Sequence, residues 1–175
     1  MAFFKPGDKE EARRRCGFPL DKKLLLFGSV KISDERKGFD YLVEACRILL
    51  EKYPDIKEKL AVVVMGKCSQ ELEDRLPLAV YSIGYVEDET RMVDIYNAVD
   101  VFVIPSLEDN LPNTIMEAMA CGTPCVGFDT GGIPEMIDHD VDGYVARYKS
   151  AQDFAHGIYT CLLYTSDAAD DRISV

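Results

Sequence analysis

Val99-Asp-Val-Phe-Val-Ile-Pro-Ser-Leu-Glu-Asp-Asn-Leu-Pro-Asn-Thr-Ile-Met-Glu-Ala-Met-Ala-Cys-Gly-Thr-Pro-Cys-Val-Gly-Phe128 reads as two short apolar runs joined by a framed helix. The runs, Val99 to Ile104 and Cys125 to Phe128, are rich in β-branched and aromatic residues, as strands buried on both faces are. Between them, Pro112 and Asn113 make a helix start, Gly122 makes a stop, and Pro124 prevents continuation. Strand, helix and strand in this order predict a parallel pair with a right-handed crossover. The helix body, Ile115 to Cys121, is apolar except for Glu117, which places that carboxylate in or beside the core. A buried carboxylate without a partner is costly. Glu117 therefore has one, and the local pattern leaves open whether it is a ligand, a buried lysine or a backbone N–H.

Working outward, Leu24 to Phe27, Leu60 to Met65 and Val80 to Ile83 add three more apolar runs. Phe39, Leu42, Val43, Cys46, Leu49, Leu50 and Tyr53 fall at steps of three and four, and Met92, Val93, Tyr96 and Val99 repeat the spacing. The expected fold class is α/β, a doubly wound parallel Rossmann-like sheet with helices on both faces. Ligands of such sheets sit at the carboxyl ends of the strands, which directs attention to the loops after Phe27, Met65, Ile83, Ile104 and Phe128. The first of these, Gly28 to Gly38, carries Lys31, Arg36 and Lys37, partly offset by Asp34 and Glu35. It reads either as a diphosphate-neutralising loop or as a solvated one. The free N–H groups of the helix start near Asn113 form a ready anion site. A nucleotide diphosphate with its ribose diol would satisfy that turn and Glu117 together.

The whole composition narrows the class. The 175 residues are 47% hydrophobic and 29% charged, the range of a globular domain with a core large enough to need no staple. Asp and Glu outnumber Lys and Arg 31 to 20, a formal charge of -11 that argues against nucleic acid as a partner. Six cysteines without paired spacing read as small hydrophobes of a reducing, cytoplasmic compartment. No apolar run reaches the roughly 20 residues that span a bilayer, and no signal peptide is read at the N-terminus. Gly66-Lys-Cys-Ser69 fails as a phosphate loop because Ala61 stands where the leading glycine belongs and Cys68 where Ser or Thr must follow the lysine. Asp138 to Gly143 fails as a calcium loop because Lys149 stands in place of the final Glu. His139 and His156 have no nucleophile or zinc set beside them and read as surface residues. No metal site is expected.

Lys37-Gly-Phe-Asp-Tyr-Leu-Val-Glu-Ala45, Gly84-Tyr-Val86, Ala98-Val-Asp-Val-Phe-Val-Ile-Pro-Ser106, Glu117-Ala-Met-Ala-Cys-Gly-Thr-Pro124 and Gly131-Gly-Ile-Pro-Glu135 together resemble the donor-binding half of family 4 glycosyltransferases. These are retaining enzymes of the GT-B fold, and the resemblance runs from about Lys5 to Thr160. It implies transfer of a sugar from a nucleotide diphosphate sugar to an acceptor hydroxyl, with no cofactor or metal. The family's two acids separated by seven residues fall on Asp109 and Glu117. Glu117 would hold the ribose hydroxyls; Asp109, Asn110, Leu111, Pro112, Asn113 and Thr114 would face the sugar and diphosphate. Lys37 matches the family's lysine before glycine, with Arg36 or Lys31 as second cation beside Gly28 and Ser29. Gly66 and Tyr85-Val86 match the loops around the base. Asp109, Glu117 and Lys37 are the donor-side catalytic set; no base is assigned.

Two departures bear on specificity. Asp109 stands where the family usually has Glu before a glycine-rich turn, and Ser29 where Arg commonly follows the glycine. The resemblance divides the chain into a linker and first helix over 1–20, a nucleotide-sugar-binding domain over 21–160, and a tail over 161–175 that resembles a translated sequencing adaptor. It further implies a missing N-terminal acceptor domain, so that this piece alone would be inactive, and a parent that is peripheral to a membrane. A sugar-nucleotide epimerase or a phosphorylase-like enzyme shares the architecture. A signalling receiver is the non-enzymatic alternative, and it would cluster aspartates after the first strand.

Overall fold

The computed structural model describes residues 3–108 and 113–164. In chain order it contains α1 (Lys9–Cys16), β1 (Lys23–Lys31), α2 (Phe39–Lys52), β2 (Leu60–Lys67), α3 (Gln70–Glu73), β3 (Ala79–Gly84), α4 (Glu89–Ala98), β4 (Val101–Ile104), α5 (Asn113–Ala120), β5 (Cys125–Phe128), α6 (Ile133–Met136), β6 (Gly143–Ala146) and α7 (Ala151–Tyr164). The strands form one sheet in the order β3-β2-β1-β4-β5-β6, and every pairing is parallel. The chain builds outward from β1 to one edge, returns to the centre at β4, and builds outward to the other edge. The crevice between the carboxyl ends of β1 and β4 is thus the topological switch point, where ligands of doubly wound sheets bind.

Alternation along the strands divides the core. Leu25, Phe27, Val62 and Val64 face α2 and α7, whereas Leu24, Leu26, Ala61 and Val63 face α1, α4 and α5. Because both faces are covered, Leu60 to Met65 is buried without interruption, and this is why the strands read as continuous apolar runs.

The expected elements occur with shifted ends. β1 runs past Phe27 to Lys31, so Gly28 and Lys31 pair with Met65 and Lys67 across a break in register. Part of the expected loop is therefore strand. At the other element, Val99 caps α4 and β4 begins at Val101. Asp100 lies in the turn between them because its carboxylate is needed there. Its Oδ2 accepts from Arg13 Nη2 at 2.7 Å and from Leu24 N at 2.8 Å, and its Oδ1 accepts from Lys9 Nζ at 2.5 Å. Arg13 also donates to the Ala98 and Lys22 carbonyls at 2.8 and 2.7 Å. Arg13 and Lys23 are fully buried and Asp100 is 1% exposed. This cluster fastens α1 beneath the amino ends of β1 and β4.

The sixth strand escapes sequence reading because Gly143-Tyr-Val-Ala146 offers too short an apolar run, although it pairs with β5 along its whole length. Helix α7 carries a periodic signal, with Phe154, Ile158 and Leu162 buried at steps of four, and it continues into the first residues of the segment that resembles an adaptor. Of the tail set apart on sequence, Cys161 and Leu162 are buried in α7, and residues 165–175 lie outside the described ones. All six cysteines are free, and His139 and His156 are exposed.

Candidate donor site at the sheet switch point

The carboxyl edge is a row of glycines. Gly28 of β1 pairs with Met65 of β2, which pairs with Gly84 of β3, while Gly66 follows Met65 with a φ of 128°. A Cβ at Gly84 would meet nothing within 4 Å, whereas at Gly28 it would stand 2.9 Å from the Met65 side chain, so the edge is open to a ligand at β3 and filled by Met65 beside β1. Tyr85 and Val86 come next after β3; Tyr85 is 55% exposed, and Val86 is half-buried against the core. With strands spaced by ~4.8 Å, the edge from β3 to β4 spans roughly 14 Å.

The loop after β1 turns sharply. Asp34 caps a single 3₁₀ turn over Glu35–Lys37, accepting from Arg36 N at 3.1 Å. The Arg36 guanidinium also forks onto Asp34, at 3.2 and 2.8 Å. Those bonds from Arg36, side chain first and backbone second, hold the Asp34 carboxyl below its ordinary range. Arg36, one of the two candidates for the second cation, is therefore partly neutralised by its own loop. Lys37 is half-buried and leads directly into Gly38. The side chains of Ser29 and Lys31 are not among those described.

Gly38 fixes the site. Its φ of 75° is left-handed, and a Cβ there would stand 1.8 Å from the Pro105 carbonyl oxygen. Only glycine lets the two backbones approach this closely. One step further, Leu107 N donates to the Arg36 carbonyl at 2.7 Å. The Leu107 carbonyl accepts from Thr130 Oγ1 at 3.3 Å and Tyr148 Oη at 3.1 Å. Loops from β1, β4, β5 and β6 are thereby laced together around Leu107. An open recess of about 400 Å³ lies on the α2 side of the junction, between Gly38, Leu107, Asp34, Glu35 and Asp40. Arg75 also lines it and donates to Asp40 at 2.7 Å, and Asp34 is held by Arg36, so two of its three carboxylates are already paired.

On the other side stands α5. Asn113 opens it exposed, Thr114 is half-buried, and Gly122 closes it with a φ of 81°. Glu117 is half-buried, as its apolar surroundings predict, and its partner is the Tyr96 hydroxyl of α4, which donates to Oε1 at 3.0 Å. Sequence reading counted Tyr96 only as part of an apolar stripe; the signal missed was the hydroxyl on a ring that reaches toward α5. Asp109, Asn110, Leu111 and Pro112 lie outside the described residues. Among the described residues, no helix is long and apolar enough to cross a membrane.

A parallel doubly wound domain whose loops converge on its switch point is the class of protein that fold and site define. Residues 21–163 match the family described as Glycosyl transferases group 1, and the chain belongs to it. It is 33% identical over 166 residues to D-inositol 3-phosphate glycosyltransferase 2 of Catenulispora acidiphila, an alignment covering 89% of this chain and 38% of the relative. Similarly, it is 33% identical over 156 residues to an uncharacterized glycosyltransferase of Methanocaldococcus jannaschii, covering 86% and 38%. The chain thus spans under two-fifths of the length of these curated relatives.

Two solved structures share the fold. One is the C-terminal domain of a glycosyl transferase group 1 family protein from Francisella tularensis, with a TM-score of 0.74 at 24% identity, covering 93% of this chain and 86% of that one. The other is Anabaena HepE in complex with UDP-glucose, with a TM-score of 0.74 at 22% identity, covering 94% and 46%.

Proposed function

We propose that this chain is the donor-binding domain of a retaining glycosyltransferase, and that its switch-point crevice holds a nucleotide diphosphate sugar. The observation that carries the reading is the backbone junction at Gly38 and Pro105. It sets the lysine-bearing loop of β1 against the loop that leads into the helix of Glu117. Across that crevice, Lys37 meets the diphosphate and Glu117 accepts from the ribose hydroxyls through the oxygen that Tyr96 does not hold. Asp109 to Thr114 face the sugar and phosphates, with Gly28, Ser29 and Arg36 beside them. Gly66, Tyr85 and Val86 border the base. The leaving diphosphate gains charge as the glycosidic bond breaks, and Lys37 with the N–H groups near Asn113 stabilises it there. HepE, which shares the fold, is bound to UDP-glucose, and this supports a nucleotide sugar as the ligand.

In this reading the donor-binding unit extends beyond residues 21–160, since Arg13 of α1 and Cys161 and Leu162 of α7 are buried in it, and an acceptor domain belongs to the rest of the enzyme. The whole enzyme works in the cytoplasm, peripheral to a membrane, in carbohydrate biosynthesis. Transfer needs both substrates held in register, which half a cleft does not do. The test is binding. Replacing Glu117 with Gln removes a charged acceptor for two hydroxyls, worth about 1.5–3 kcal/mol. Calorimetry with UDP and with GDP should show the tighter ligand weakened at least tenfold. An unchanged affinity contradicts the role of Glu117.

A further inference from the structure

Glu117 sits on a short helix with an otherwise apolar body, and a carboxylate there can swing among several rotamers unless something fixes it. Tyr96 is placed to fix it. Its ring has no exposed surface and is held edge-on by Phe4 at 6.1 Å and Phe102 at 5.9 Å. Its backbone carbonyl accepts from the buried Thr123 Oγ1 at 2.6 Å, at the far end of α5. Helix α4 thus grips α5 at two points: through Thr123 past its C-terminus, and through the Tyr96 hydroxyl on Glu117 in its middle at 3.0 Å. Burial, and next the charge of Glu117, push the Tyr96 hydroxyl well above the ordinary phenol range, so it remains a donor at every working pH.

We infer that Tyr96 is a positioning residue for nucleoside recognition: by donating to one carboxylate oxygen, it aims the other at the ribose diol. This rests on the reading of Glu117 as the ribose acceptor. Tyr96 touches no ligand itself. Its effect should therefore appear as discrimination between ribose and deoxyribose, and not as loss of grip on the phosphates.

The experiment measures the affinities of wild type, Tyr96→Phe and Glu117→Gln for UDP and GDP, for their 2′-deoxy and 3′-deoxy analogues, and for inorganic pyrophosphate. Wild type should prefer the ribonucleotide, and Glu117→Gln should bring that preference close to one. Tyr96→Phe, losing one hydrogen bond of about 1 kcal/mol, should bind the tighter ribonucleotide about fivefold more weakly. It should also at least halve the preference and leave pyrophosphate binding unchanged. Preference lost in Glu117→Gln and intact in Tyr96→Phe overturns the role of Tyr96 alone. Preference intact in Glu117→Gln, or no binding of either nucleotide to wild type, overturns the donor reading beneath it. A Tyr96→Phe variant that loses thermal stability and keeps the preference marks the hydroxyl as structural only, and also overturns the proposal. Should that variant not fold, the Tyr96 ¹³Cζ resonance of tyrosine-labelled wild type replaces it. Saturation with the nucleotide should move that signal, and a signal that stays in place contradicts the inference.

Discussion

Gly38→Ala should unfold the junction that builds the site, costing several kcal/mol, while Gly17→Ala, at nearly the same backbone angle, should cost about 1 kcal/mol. The two glycines form a matched pair, with φ of 75° and 76°. Both carry the left-handed penalty that a Cβ brings. They differ in what the Cβ meets: nothing lies within 4 Å at Gly17, whereas at Gly38 the Pro105 carbonyl oxygen is 1.8 Å away and its carbon 2.7 Å. Backbone cannot rotate aside as a side chain can. The loops of β1 and β4 must part, and the bond from Leu107 N to the Arg36 carbonyl goes with them. Chemical denaturation of the two variants measures the difference directly. Nucleotide affinity should fall with stability at Gly38 and hold at Gly17. Equal destabilisation at both positions contradicts the close approach.

The second large effect lies at the opposite end of the sheet. Asp100→Ala leaves the buried Arg13 and Lys23 without their shared carboxylate, and removing one partner of a buried ion cluster costs about 3–5 kcal/mol. For a domain of this size that is a fall in Tm of roughly 6–20 °C. The exposed pair of Arg14 and Glu10, 3.6 Å apart on α1, is the comparison. Its removal should cost no more than about 0.5 kcal/mol, because solvent screens it. A thermal melt in which Asp100→Ala falls by no more than Glu10→Ala would show that the cluster does not secure α1.

Much of this was legible in the sequence because the fold rests on burial, and burial leaves a periodic trace. Continuous runs such as Leu60 to Met65 marked strands covered on both faces, and the lone acid of Ile115 to Cys121 marked a carboxylate that needed a partner. What stayed hidden depends on contacts between residues far apart in the chain. Asp100 broke an apolar run, a visible anomaly, but its partners Arg13 and Lys23 look like solvated charges until α1 folds under the sheet. Tyr96 served equally well as packing until its hydroxyl was seen against Glu117, 21 residues on. Gly38 read as the end of the first loop, and only the crossing of two loops explains why nothing larger than hydrogen fits. At Arg36 the local pattern showed a cation partly offset by Asp34 and Glu35, and the structure adds which of the two holds it: Asp34, through both carboxylate oxygens.

The central claim is that the crevice between β1 and β4 neutralises a nucleotide's diphosphate through Lys37. Calorimetry of wild type and Lys37→Ala with the tighter of UDP and GDP, and with the corresponding bare nucleoside, tests it most directly. Loss of a charge-assisted contact of about 1.5–3 kcal/mol should weaken the diphosphate by roughly 10- to 100-fold and leave the nucleoside unaffected. An equal loss for both, or none for either, contradicts the account.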